Sequence, residues 1–189
     1  MSVAEGHAEG KDEVLELIRR SLPPGKFKEV VATRWPRRYI VFIDAWALRP
    51  VMEALKVAGF DRFIAIEAID WYNIEPVFEL LYYVESVKLG GPLVIVRTKI
   101  PRNNPEIDTI RDIYPLAHWQ EIENYEFFGI RFRGHPDLRL WILEDNWEGP
   151  PPLRKDFDTV KYVLETYYGG KKWERPVKRR EPPPPRGEE

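Results

Sequence analysis

The chain has 189 residues, 43% of them hydrophobic and 32% charged, enough for one domain with a buried core. Its 29 Lys+Arg and 31 Asp+Glu leave a net charge of −2, so there is no general electrostatic drive toward nucleic acid. The absence of cysteine excludes disulfides, thiolate nucleophiles, zinc–thiolate sites and ordinary iron–sulfur ligation, and the three histidines, His7, His118 and His135, have no metal-ligand spacing.

Residues 1–10 are small, polar and acidic, and are expected to form a disordered leader. Val14, Ile18 and Leu22 recur at four-residue spacing, which predicts a helix over Lys11–Leu22, stopped by Pro23-Pro24-Gly25. β-Branched and aromatic residues predict strands at Phe27–Thr33 and Arg38–Asp44, broken at Trp35-Pro36. A helix over Arg49–Ala58 should end at Gly59, because glycine takes the left-handed conformation cheaply. Strands follow at Arg62–Tyr72, Val77–Val87 and Leu93–Ile100, the last two joined as a hairpin through Lys88-Leu89-Gly90-Gly91. Asp108–Tyr114 reads as a short helix ended by Pro115, and Ala117–Phe128 as another ended by Gly129. The fold expected is α+β: a mostly antiparallel sheet packed by helices, spanning residues 11–130.

Beyond Arg131 the chain is rich in Pro, Arg and Trp and loses periodicity. Residues 131–170 are expected to be an extended segment presenting a partner-contacting surface. Residues 171–189, with Lys-Lys, Lys-Arg-Arg and four prolines, read as a proline-rich charged tail that is disordered or extended. No apolar run approaches the roughly 18–20 residues that span a bilayer.

There is no glycine-rich phosphate loop, and Ser2, Ser21 and Ser86 lack a nucleophile-elbow context. Glu121 and Glu123, two apart on a helix, point to different faces and read as solvated or salt-bridged helix charges rather than an acid/base pair. His135 sits in Gly134-His135-Pro136-Asp137-Leu138-Arg139, where a hydrogen-bonded turn residue is expected. The aromatics Trp119, Tyr125, Phe127, Phe128, Phe132, Trp141 and Trp147 read either as ordinary core or, interleaved with Arg131, Arg133, Arg139 and Arg154, as interface anchors. Two further readings stay open: a free-standing module for single-stranded nucleic acid, and a hydrolase using Glu121, Glu123 and His135.

Three blocks carry a family resemblance. His118-Trp119-Gln120-Glu121-Ile122-Glu123-Asn124-Tyr125-Glu126-Phe127-Phe128-Gly129-Ile130 resembles the signature helix, roughly W-x-E-R-E-x-x-D-x-F-G-I, of the C-subunit family of respiratory NADH–quinone oxidoreductase (complex I). Arg131-Phe132-Arg133-Gly134-His135-Pro136-Asp137-Leu138-Arg139 is similar to its F-x-G-H-P-D-L-R. Trp147-Glu148-Gly149-Pro150-Pro151-Pro152-Leu153-Arg154-Lys155-Asp156-Phe157 looks like its W-E-G-H-P-L-R-K-D-Y/F. A softer match runs upstream through Ala68-Ile69-Asp70 and Asp112-Ile113-Tyr114-Pro115, so that residues 12–160 are covered. Ile122 stands where the family has Arg, Glu126 where it has Asp, and Pro150-Pro151-Pro152 replaces the usual His-Pro, which suits a divergent branch.

The resemblance implies a subunit with no cofactor and no catalysis of its own. Iron–sulfur clusters, and a nickel–iron centre in hydrogenase-type members, belong to partner subunits. It implies docking against the large catalytic and small iron–sulfur subunits, on the cytoplasmic side of the cell membrane, with membrane contact only through those partners and no nucleic acid. The equivalent subunit of an archaeal membrane-bound [NiFe] hydrogenase, or of a related ferredoxin-driven, ion-pumping complex, is the first reading. A NADH/quinone- or sulfur-linked complex I relative is the second. The interface residues implied are Trp119, Glu121, Glu123, Phe128, Gly129, Phe132, His135, Pro136, Asp137, Leu138, Arg139, Trp147, Leu153, Arg154, Lys155 and Asp156. The segment Phe132–Asp156 is expected to cross onto the partner, with Arg139 and Arg154 pairing to its carboxylates.

Overall fold

A computed structural model describes residues 5–144 and 147–169. The tail at 171–189 and residues 1–4 of the expected leader lie outside the described residues. Helix α1 (Glu5–Ser21) begins six residues before the predicted start, inside the stretch read as leader. Ile18 and Leu22 are buried, with Val14 and Leu15 packed beside them, as the spacing requires.

Strands β1 (Glu29–Ala32), β2 (Arg38–Phe42), β3 (Arg62–Asp70), β4 (Val77–Glu85) and β5 (Leu93–Pro101) form a five-stranded sheet in the order β1-β2-β5-β4-β3. All neighbours run antiparallel except β2 and β5, so the sheet is mostly antiparallel, as expected. The parallel pair needs a long crossover, and α2 (Leu48–Val57), entered through a 3-10 turn at Ala45–Ala47, lies within it.

Side-chain alternation divides the sheet. Tyr39, Val41, Phe78, Leu80, Tyr82, Val84, Val94, Val96 and Ile100 are buried on one face, where Leu48, Val51, Met52 and Leu55 of α2 pack. A register shift between Phe63 and Ala65 lets Phe63 and Ile66, three positions apart, both enter the core. The other face carries Phe42, Arg97, Lys99 and Glu79. Glu79 accepts from Arg97 Nη2 at 2.6 Å and from Trp71 Nε1 at 3.1 Å.

The predicted helix at Asp108–Tyr114 is not formed. Glu106–Asp108 is strand β6, paired parallel with β7 (Arg131–Arg133), and residues 109–114 form a turn. Within it the Ile110 carbonyl accepts the Ile113 and Tyr114 N–H groups at 3.0 and 2.8 Å, and two tertiary partners take groups at its start. The Glu121 carboxylate accepts the Ile110 N–H at 2.8 Å, and Arg49 donates to the Thr109 carbonyl and both Asp112 oxygens at 2.7 Å. Helix α3 (Ala117–Phe128) ends where predicted, with Gly129 at φ 73°. Helix α4 (Thr159–Tyr168), inside the stretch read as extended, lies in a second unit that begins at Asp158. Asp158 caps it by accepting the Lys161 N–H at 2.9 Å.

Candidate subunit-docking face

The signature helix α3 works inward first. Glu121 is completely buried, and it ties the helix to the 109–114 turn through Ile110 N–H and the Thr109 hydroxyl. Burial drives its pKa up to about 7, with the two hydrogen bonds pulling the other way. Gln120 clasps the outer edge of β3, accepting the Ile66 N–H and donating to the Ile64 carbonyl. That satisfies backbone groups an edge strand would otherwise expose.

Glu126 holds the chain just past β7. Its carboxylate accepts the backbone N–H groups of Trp141 at 3.1 Å, Ile142 at 3.0 Å and Leu143 at 2.5 Å. Three charge-assisted bonds on one carboxylate bend residues 141–143 around the helix end. Trp141 is thereby laid on Trp119, their rings 4.7 Å apart. Both stay about half-exposed, as do Leu116 and Ile142, so the clamp presents an apolar patch to solvent.

Beside it, His135 stacks on His118 with ring centroids 4.8 Å apart and planes 13° apart. The Asp137 N–H donates to His135 Nδ1 at 3.1 Å, the turn-fixing role expected of it. Burial, and then the proximity of His118, hold the His135 pKa below its usual value, so the ring is neutral near pH 7. Arg139 pairs with Asp137 at 3.1 Å.

A second brace holds residues 151–157. Arg102 grips Asp70 at 2.9 and 3.1 Å and Asp156 at 2.5 and 3.0 Å. Burial would raise the Asp70 pKa, but Arg102, with the Lys155 and Tyr72 N–H groups at 3.0 Å, outweighs it and holds the carboxyl below its usual range. Arg154 Nε donates to the Phe128 carbonyl at 2.8 Å, and its guanidinium lies 5.4 Å from the Phe78 ring centre. Gly129 makes this approach possible. A Cβ there would meet Arg154 Nη2 and Pro151 Cγ at 3.1 Å each.

The sequence-derived interface set therefore divides. Glu121 and Phe132 are interior residues and offer a partner no surface, because each completes the core beneath α3 and β7. Arg139 and Arg154, expected to pair with a partner's carboxylates, are engaged within the chain by Asp137 and the Phe128 carbonyl, and Asp156 is engaged by Arg102. Residues up to Phe157 form one compact unit with the sheet. Trp119, Glu123, Pro136, Asp137, Arg139, Leu153, Lys155 and Asp156 are exposed. Phe128, Gly129, His135, Leu138, Trp147 and Arg154 are half-buried. With Glu121 sealed inside and Glu123 on the surface, the hydrolase constellation is not assembled. Asp70, Arg102 and the clamping role of Glu126 escaped sequence reasoning. Arg102 lies in an ordinary Pro101-Arg102-Asn103-Asn104 turn, and only the acid at the end of a buried strand, Asp70, hinted that a cation must be near.

Comparison with known proteins gives these features a context. Residues 41–163 match the family described as respiratory-chain NADH dehydrogenase, 30 Kd subunit. The C subunit of the F(420)H(2) dehydrogenase of Methanosarcina mazei is 33% identical over 139 residues, covering 71% of this chain and 86% of the relative. The C subunit of the NADH-quinone oxidoreductase of Chlorobium phaeobacteroides is 36% identical over 110 residues, covering 58% and 63%. Among solved structures, a chain of the membrane-bound sulfane sulfur reductase, an archaeal respiratory membrane complex, superposes with a TM-score of 0.74 at 29% identity, over 88% of this chain and 96% of that one. A trypsin-resistant fragment of Nqo5 gives a TM-score of 0.56 at 26% identity, over 68% and 99%. The chain belongs to the 30 kDa subunit family of the respiratory-chain NADH dehydrogenase, the C subunits of complex I-like respiratory redox complexes.

Proposed function

We propose that the chain is a non-catalytic structural subunit of the peripheral arm of a membrane-bound, complex I-like redox complex. It lies on the cytoplasmic side and reaches the membrane through its partners. It docks a large catalytic subunit and a small iron–sulfur subunit, whose clusters carry electrons in a reaction coupled to ion pumping, and it holds no cofactor itself. The observation that carries this reading is the Trp119–Trp141 patch. Two large aromatics held exposed by a three-bond carboxylate clamp cost solvation in the chain alone and gain when a partner covers them. No helix among the described residues is long and apolar enough to cross a membrane.

Two parent complexes remain in view: a hydrogenase-type assembly with a nickel–iron centre in the large subunit, and a sulfur-linked relative. Likeness to a chain of the sulfane sulfur reductase over 88% of the sequence supports the second. The test is capture of the tagged chain from detergent-extracted membranes of its host, with metal analysis. Iron and a cluster-bearing small subunit are expected. Nickel selects the hydrogenase-type parent, and its absence with the same partners selects the sulfur- or quinone-linked one. A metal-free monomer overturns the proposal.

A further inference from the structure

The register of the sheet gives it two distinct ends. Asp70, Phe78 and Ile100 align at the end braced by Arg102. Arg38, Leu93, Glu85 and Arg62 align at the other. There the β1–β2 connection, Thr33-Arg34-Trp35-Pro36-Arg37, meets the β4–β5 turn, Ser86-Val87-Lys88-Leu89-Gly90-Gly91-Pro92. Arg37 joins them. Its guanidinium donates to the Leu89 carbonyl and its carbonyl accepts the Leu93 N–H at 2.9 Å, while its own backbone sits at φ 57°, which a non-glycine residue rarely adopts. Gly90 lets the arginine in, since a Cβ there would lie 3.2 Å from Arg37 Nη2.

The two loops thus form one surface of defined shape. Trp35 is 55% exposed and Val87 61%, and the Arg34 guanidinium lies 5.3 Å from the Trp35 ring centre. No carboxylate occurs between Glu29 and Asp44, or between Glu85 and Glu106. Glu85 itself is engaged by Arg62 at 3.1 Å. Among the described residues Arg34, Arg37, Arg38 and Lys88 form no ion pair, whereas arginines elsewhere on the sheet, such as Arg97 and Arg102, are paired.

We infer that this end of the sheet is a second docking surface, separate from the Trp119–Trp141 patch, and that its partner is a carboxylate-rich protein surface in which Trp35 is buried. Arginine with tryptophan is the composition of protein interfaces, where lysine is depleted. A loop pinned by a strained arginine suits forked pairing with carboxylates fixed in place, which a fluid bilayer does not offer. The inference rests on the scaffold reading and deepens it by adding a second neighbour of defined chemistry.

The test uses the intact complex, captured from membranes through this chain. Arg34→Glu/Arg38→Glu leaves the Arg37 link in place and should lower recovery of one neighbouring subunit by roughly tenfold or more. A photoreactive phenylalanine derivative at position 35 should cross-link to an Asp/Glu-rich segment of that neighbour. Reversing the segment to lysine should restore recovery with the double variant. Unchanged recovery together with no cross-link to a protein overturns the inference. So does cross-linking to lipid alone, accompanied by binding of phosphatidylglycerol vesicles that the double variant loses, because the partner is then a bilayer. If the wild-type chain captures no subunit at all, the scaffold reading fails with it. If it captures them and only the tip variants are neutral, this inference alone falls.

Discussion

The sheet and the segment that comes after α3 are held by different physics. The sheet, with α1 and α2 against it, is one continuous apolar cluster from Ile18 to Phe132, and no single contact decides it. Residues 141–157 bury little and depend on a few polar anchors: Glu126, the Asp70–Arg102–Asp156 chain, and Arg154 on the Phe128 carbonyl. The lesson is about redundancy. A core distributes its stability over many contacts, whereas an irregular segment concentrates it in a few carboxylates, and it is the segment that shapes the exposed Trp119–Trp141 patch.

This contrast can be broken by substitution. Phe78→Ala should have the largest effect, about 3–5 kcal/mol by urea unfolding. Phe78 serves both regions, as its ring lies under Arg102 and Arg154. Loss of far less would mean that the core is not the principal support. Arg102→Ala strands the buried Asp70 carboxylate and should cost about 3 kcal/mol, near the value for breaking a buried pair. Asp70 sharpens the point through pH. Its folded pKa lies below the unfolded value, so its contribution is present above about pH 4 and is lost as pH falls through the folded value. An acid-unfolding profile identical in wild type and Arg102→Ala would refute that account.

Glu121 has the opposite sign. Its folded pKa, about 7, is above the unfolded value, so the unfolded chain gives up the proton first and stability declines as pH rises from about 4.5 through 7. Glu121→Gln should flatten that decline, by on the order of 3 kcal/mol across the window. Unfolding midpoints in a pH series would show it. Glu126→Gln should cost less globally, about 1–2 kcal/mol, and act locally. Amide exchange at Trp141, Ile142 and Leu143 should accelerate while strand amides keep their protection. Uniform acceleration would mean the segment and sheet are one cooperative unit. Smallest for the isolated fold is Trp119→Ala, under about 1 kcal/mol at a half-exposed site, with its main effect on partner capture.

Legibility in the sequence tracks the same divide. A helix whose side chains face one core announces itself by period, so Ile18 and Leu22 are found without structure. The helix at Asp108–Tyr114 is misjudged because Asp108 is drawn into β6 and the Thr109 carbonyl and Ile110 N–H are taken by residues distant in sequence, Arg49 and Glu121, and no local pattern records that. The signature block points to α3 and the stretch after it through its resemblance, but residue types alone do not tell an inward brace from a surface contact. Glu121 and Glu123 look alike in sequence and end on opposite sides of the protein surface. Strands β6 and β7, three residues each, are too short to show alternation.

The bond from the Lys155 amide to Asp70 joins positions 85 residues apart. Closing so long a loop is entropically unfavourable until the sheet that carries Asp70 already exists. The 151–157 brace is therefore expected to form late on the folding path, after β3, β4 and β5 have paired. A neighbouring subunit that recognises the braced form would then meet it only on chains whose domain is complete, and the order of folding would select which chains it meets.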